Sequence, residues 1–135
     1  MKVIYGIGRD KKLFHKAVLA IGVFDGLHRG HQKLIRRVIQ EAKKINGHAV
    51  VMTFFPHPVH VLHPEINLPL IISLQHRLKL LEEMGVDVGC VVPFTKNFSR
   101  LTPEQFIRTY LVQHIKPVEV FVGDDFRFGQ NRSGT

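Results

Sequence analysis

The sequence predicts an α/β fold, a parallel sheet with helices on both faces, and three observations carry that expectation. Short, nearly continuous apolar runs at 18–24 (VLAIGVF), 48–55 (HAVVMTFF), 88–92 (VGCVV) and 118–123 (VEVFVG) read as strands buried on both faces. Segments with apolar residues at helical spacing separate them. Strict alternation of the two requires crossover connections, and crossovers join parallel neighbours.

Each element has its own signals. The first run breaks into Phe24-Asp25-Gly26, and a helix follows from Gly30 to Ile45 on Leu34, Ile35, Val38, Ile39 and Ala42, with Asn46-Gly47 as its stop. The second strand ends at Pro56. A long connection, PHPVHVLHPEINLPLIIS, then carries four of the seven prolines, a length associated with functional or lid-like segments. Ser73 caps a helix over Leu74 to Met84, with Leu78, Leu81 and Met84 on one side and Gly85 behind it. Thr102-Pro103-Glu104-Gln105 combines a cap, a proline at the first helical position and a capping-box glutamine, and opens a helix carrying Phe106, Tyr110 and Leu111. Met1 to Tyr5 reads as an additional edge strand.

A chain of 135 residues with 44% hydrophobic and 22% charged content suits one domain spanning 1–135. No window approaches the apolar length of a membrane span, and Arg9, Asp10, Lys11 and Lys12 interrupt the N-terminus before a signal-peptide core can form. The expectation is a cytoplasmic protein with no membrane partner. The single cysteine, Cys90, lies in an apolar run and reads as a buried, inert thiol. A formal charge of +8 favours an anionic partner. The basic residues lack aromatic interleaving or zinc-finger spacing, which points to phosphorylated small molecules and away from nucleic acid.

The chemistry concentrates in Ala20 to His31, AIGVFDGLHRGH. A strand feeding a helix through a glycine-bearing turn presents backbone N–H groups and the positive helix end at the carboxyl edge of the sheet. Gly26 and Gly30 admit a ligand close to the backbone, while His28 and His31, one turn apart, can donate to phosphate oxygens. No Glu or Cys stands beside them at metal-ligand spacing, so the pair suits phosphate better than zinc.

GVFDGLHRGH resembles the first signature of the HIGH-type nucleotidyltransferases, a motif shared by cytidylyltransferases for other phosphorylated small molecules. TFFPHPV at 53–59 and GDDFRFGQNRSGT at 123–135 are similar to the second and third signatures of bacterial FAD synthetases, in the same order. The resemblance runs from Val18 to Thr135 and implies a Rossmann-like FMN adenylyltransferase domain that joins ATP and FMN into FAD and pyrophosphate, with Mg2+ as cofactor. In that family a riboflavin kinase domain follows, and a further serine-rich, arginine-bearing segment grips ATP. Neither is in this sequence, so the resemblance implies a domain incomplete at its C-terminus. A cytidylyltransferase or adenylyltransferase for another substrate, and a non-catalytic nucleotide- or flavin-binding fragment, are the competing readings.

The same resemblance implies residue roles. His28 and His31 would bind the triphosphate and stabilise charge at the transferring phosphoryl group. Gly22, Val23 and Phe24, ending the strand, would line the nucleotide site with backbone together with Gly30, and Asp25 would orient donors or a magnesium-bound water. By residue type alone, Asp25 also reads as a helix cap. Pro56, His57 and Pro58 would brace a loop against the flavin, although PHP is equally a strand stop. Of Phe54 and Phe55, alternation sends one to the core and one outward. Asp125 and Phe128 would contact the flavin, in a loop whose paired acids also suit an ordinary turn.

Overall fold

The computed structural model describes residues 1–6, 14–65 and 72–123. In chain order the elements are β1 (Lys2–Tyr5), β2 (Val18–Ile21), α1 (Arg29–Lys44), β3 (Ala49–Phe55), α2 (Pro58–Leu62), α3 (Leu74–Met84), β4 (Val88–Pro93), α4 (Lys96–Ser99) and α5 (Pro103–Phe106). A π-helical stretch, Ile107–Ile115, continues α5 and leads to β5 (Glu119–Val122).

The five strands form one sheet in the order β1-β4-β3-β2-β5, and every neighbouring pair is parallel. Setting aside β1 at the edge, the order walks outward from β2 through β3 to β4 and then returns to the other side of β2 for β5. That reversal beside β2 is a topological switch point, and the carboxyl edge of such a point is the place where open α/β sheets bind ligands. The register is continuous, with Val18 opposite Ala49 and Ile21 opposite Met52 on one side of β2, and Val18 opposite Glu119 on the other.

Period-two alternation divides the strands between two cores. Leu19, Ile21, Val50, Met52, Phe54, Cys90 and Val92 face one layer, where they pack with Phe106 and Ile115. Val18, Ala20, Ala49 and Val51 face the other, with Ile35, Val38, Ile39 and Ala42 from α1 and Leu81 from α3. Helices thus cover both faces of the central strands, as their apolar runs predict, whereas β5, expected to be buried on both faces, ends the strand order with Glu119 and Val120 exposed, because only β2 flanks it among the described residues. Each fully buried Leu or Ile contributes on the order of 1.5–3 kcal/mol relative to exposure, and α1 is held to the sheet through the second of these cores.

Three local features differ from the sequence-based expectation. In the 56–73 connection, Pro58 opens the short helix α2 in the position where its missing N–H costs nothing. Thr95, accepting from the Phe98 N–H, starts α4. The Thr102 capping box forms as predicted with Gln105, but the regular helix lasts only through Phe106 before it widens to π geometry. Phe106 is buried, Tyr110 is partly buried and stacked on it with centroids 5.4 Å apart, and both belong to the core.

Candidate active site

The carboxyl ends of β2 and β3 carry the predicted residues. β2 stops at Ile21, so Gly22, Val23 and Phe24 lie in the following turn and do not extend the strand as expected. The reason is conformational. After the Gly22 N–H donates to the Met52 carbonyl at 3.1 Å, Phe24 (φ 55), Gly26 (φ 91) and Leu27 (φ 44) all enter the left-handed region. For Phe and Leu that costs of order 1–3 kcal/mol each and persists only where the surroundings enforce it. They do so here by burying both side chains, Phe24 at 1% and Leu27 at 3% exposure. Gly22 is sterically required, because a Cβ there would sit 2.7 Å from Phe24 Cζ. The turn therefore offers a ligand its backbone, while its apolar side chains anchor it from below.

His28 occupies the N-cap position of α1, yet makes no capping side-chain bond, and the first turn holds no acid. Its ring stacks on that of His31, with centroids 3.6 Å apart and planes 26° from parallel. Below the pair, the Phe24 ring meets His31 edge-on at 5.2 Å. His28 and Gly30 are exposed while His31 is nearly buried, so the structure brings both histidines to one spot at different depths. Gln32 secures the approach by donating from Nε2 to the Leu27 carbonyl at 2.8 Å. A Cβ on Gly30 would lie 3.3 Å from His28 Cε1, so the bare backbone there keeps room for the upper ring.

Asp25 is not the cap of α1. Its Oδ1 accepts from the Ile72 N–H at 3.5 Å, which ties the turn to the segment leading into α3. Its charge also reaches two neighbours. Burial lowers the His57 pKa from its ordinary value, Asp25 opposes that shift, and His60 and Arg77 reinforce it. Burial likewise lowers the Arg77 pKa while Asp25 raises it. His57 is half-buried between exposed Pro56 and half-buried Pro58, and its ring lies 5.8 Å from that of His60. At the end of β3, Phe54 is buried at 1% and Phe55 is 38% exposed, the division that alternation predicts.

In the sequence, Arg77 counts only among the basic residues that supply the net charge. It is fully buried, and its Nη1 donates to Thr53 Oγ1 at 2.8 Å and to the Phe54 carbonyl at 3.2 Å. Thr53 Oγ1 in turn donates to the Val23 carbonyl at 2.7 Å. A signal was available: Arg77 stands four residues before Leu81, on the stripe of α3 that helical spacing assigns to the core. Cys90 is buried and its thiol is pushed up to about 12 by burial, which keeps it protonated and unreactive. Asp125 and Phe128 lie outside the described residues.

Comparison with known proteins adds an independent line. A family model described as FAD synthetase matches residues 10–135. Bifunctional riboflavin kinase/FMN adenylyltransferases are similar across nearly the whole chain. The protein of that name from Escherichia coli is 38% identical, with 99% of this chain and 43% of that protein covered. The one from Buchnera aphidicola subsp. Schizaphis graminum is 34% identical at the same coverages, and the one from Bacillus subtilis is 39% identical over 89% of this chain and 38% of that protein. A crystal structure described as a macrolide-efflux protein from Streptococcus pneumoniae superposes with a TM-score of 0.81 at 30% identity, covering 99% of this chain and 45% of that one. Among the described residues, no helix is long and apolar enough to cross a membrane. The chain spans less than half the length of these relatives, and the match over residues 10–135 establishes that it belongs to the FAD synthetase family.

Proposed function

We propose that the protein is an FMN adenylyltransferase, transferring AMP from ATP to FMN with release of pyrophosphate. The observation that carries this reading is the stacked His28–His31 pair at the uncapped start of α1, immediately behind the glycine-bearing turn. A phosphate oxygen of FMN attacks the α-phosphorus of ATP, the new P–O bond forms as the bond to pyrophosphate breaks, and no covalent enzyme intermediate is needed. Such a transfer requires alignment and neutralisation of charge. Imidazole N–H groups of His28 and His31 donate to the triphosphate, and the first N–H groups of α1 add the positive end of the helix dipole. The backbone of Gly22 to Phe24 and the open Gly30 line the nucleotide, while Pro56, His57 and Pro58 with Asp125 and Phe128 hold the flavin.

Magnesium suits this donor set as an ion that arrives on the triphosphate. Among the described residues no three His, Cys, Asp or Glu side chains gather as a metal cage, and Asp25 supplies one half-buried carboxylate at the turn, the kind of sparse protein ligation typical of nucleotide-bound magnesium. When bound, the ion neutralises charge on the leaving pyrophosphate. ATP, FMN and their products are cytoplasmic metabolites, and we place the protein there.

The test is direct: the full-length protein is incubated with magnesium, ATP and FMN, and FAD and pyrophosphate are measured in equal amounts. Faster turnover with CTP would assign the site to a cytidylyltransferase instead. The net charge of +8 also predicts that FMN binds more tightly than riboflavin, by a margin that shrinks as salt screens the phosphate. Equal affinities in a fluorescence titration would remove the FMN assignment.

A further inference from the structure

A buried arginine is costly unless its charge and donors are used. Arg77 is fully buried, and its Nε and Nη2 have no hydrogen-bond partner among the described residues. Its bonded nitrogen, Nη1, reaches the last residues of β3, Thr53 and Phe54. Because Thr53 Oγ1 accepts from Arg77, its proton is directed onward to the Val23 carbonyl. The result is a one-way chain, guanidinium to hydroxyl to carbonyl, which ends on the residue just before the left-handed positions Phe24, Gly26 and Leu27. Asp25, in the middle of that turn, is the carboxylate whose field favours the arginine's charge, and it is tied to Ile72, five residues before Arg77.

We propose that Arg77 is a positioning residue for the phosphate site: acting through Thr53, it holds the turn at residues 22–27 in the conformation that aims the start of α1 and its two histidines at the ligand. Arg77 touches no substrate, since it is buried. Its charge balances Asp25 from inside the fold, and its geometry sets the direction of the Val23 carbonyl. A lysine can keep the charge and reach both oxygens from one nitrogen, and a serine can replace the Thr53 hydroxyl. A methionine at 77 or a valine at 53 breaks the chain at opposite ends. The inference rests on the proposed adenylyl transfer only for its kinetic consequence, not for its structural one.

Both are measured on the full chain. In amide hydrogen exchange without ligand, Thr53→Val and Arg77→Met should speed exchange at residues 22–27 by about tenfold or more, while β2 and the middle of α1 keep wild-type protection. Thr53→Ser and Arg77→Lys should restore the turn. In steady-state assays, Thr53→Val should lower kcat by about 10- to 100-fold, the size expected for misplaced reacting groups, with a smaller change in KM for ATP. If Arg77→Met fails to fold, the Thr53 pair decides. Exchange that rises equally throughout the molecule, or a turn unchanged in Thr53→Val, overturns the proposal. Should wild-type protein form no FAD, the functional reading falls, and the exchange experiment still judges Arg77 independently.

Discussion

Helices α3, α4 and α5 close their own first turns, and α1 does not. Ser73, Thr95 and Thr102 each accept a hydrogen bond from a backbone N–H three residues on, so those termini are finished by the chain itself. At the equivalent place α1 has His28, which makes no such bond and is exposed. A cap contributes about 1 kcal/mol, and α1 forgoes it at a helix start that follows the carboxyl end of β2. The comparison separates helices whose first turns are closed by their own side chains from α1, whose open first turn is the place proposed for the triphosphate.

The contrast can be broken most forcefully at the histidines. His28→Ala and His31→Ala should each reduce adenylyl transfer by about 10²–10³-fold, or 2.7–4 kcal/mol of transition-state stabilisation, with FMN affinity little changed. Near-wild-type kcat in either variant would end the phosphate role. At the capped end, Thr102→Ala should lose about 1 kcal/mol of stability in chemical denaturation and leave transfer intact, since the Thr102 capping bonds with Gln105 stay within the first turn of α5.

A sharper version exchanges the two kinds of terminus. His28→Asp should give α1 the cap it lacks and raise stability by about 0.5–2 kcal/mol, while the added negative charge at the helix start repels the triphosphate and abolishes transfer. A variant that is both more stable and inactive is the expected outcome, and loss of stability would show that the open terminus is already satisfied by other means. The smallest effect is at His57. Its folded pKa lies below the ordinary 6.5, so between those values the unfolded chain binds more protons and stability rises with pH. The stability is present above about 6.5 and is lost as pH falls through the lower folded value. His57→Gln should flatten that limb of a denaturation series, and an unchanged slope would place the dependence on another group.

Much of this comparison is legible in the residues. Caps at Ser73 and Thr102 are local, set by a side chain and an N–H within one turn, so they can be read without the fold. The β2, β3 and β4 strands follow from nearly continuous apolar runs, which need no knowledge of partners, while β5 is recognised as a strand but its exposed position at the end of the strand order is not. Where the reading missed, the deciding contacts were distant. β2 was expected to run to Phe24, but the chain leaves the sheet after Gly22 because Phe24 and Leu27 are buried against α1 and its surroundings. Asp25 has a cap's chemistry but reaches Ile72 instead, a partner 47 residues away. Arg77 looks like surface charge until α3 is laid on β3, and only then does its place beneath the turn become visible.

The strand order also says something about time. β2, which leads into the left-handed turn before α1, pairs with β3 through a crossover of local length, but its other neighbour, β5, begins about a hundred residues later with Val18 against Glu119. Closing so long a loop is entropically slow relative to local pairing. During synthesis, then, β2 waits as an open edge with Ala17 and Ile21 unmatched to the backbone groups of Val118 and Gly123 that they later bind. The strand that leads into the turn before α1 is thus completed last, and the place proposed for the nucleotide takes its final form only when nearly all of the described chain is present.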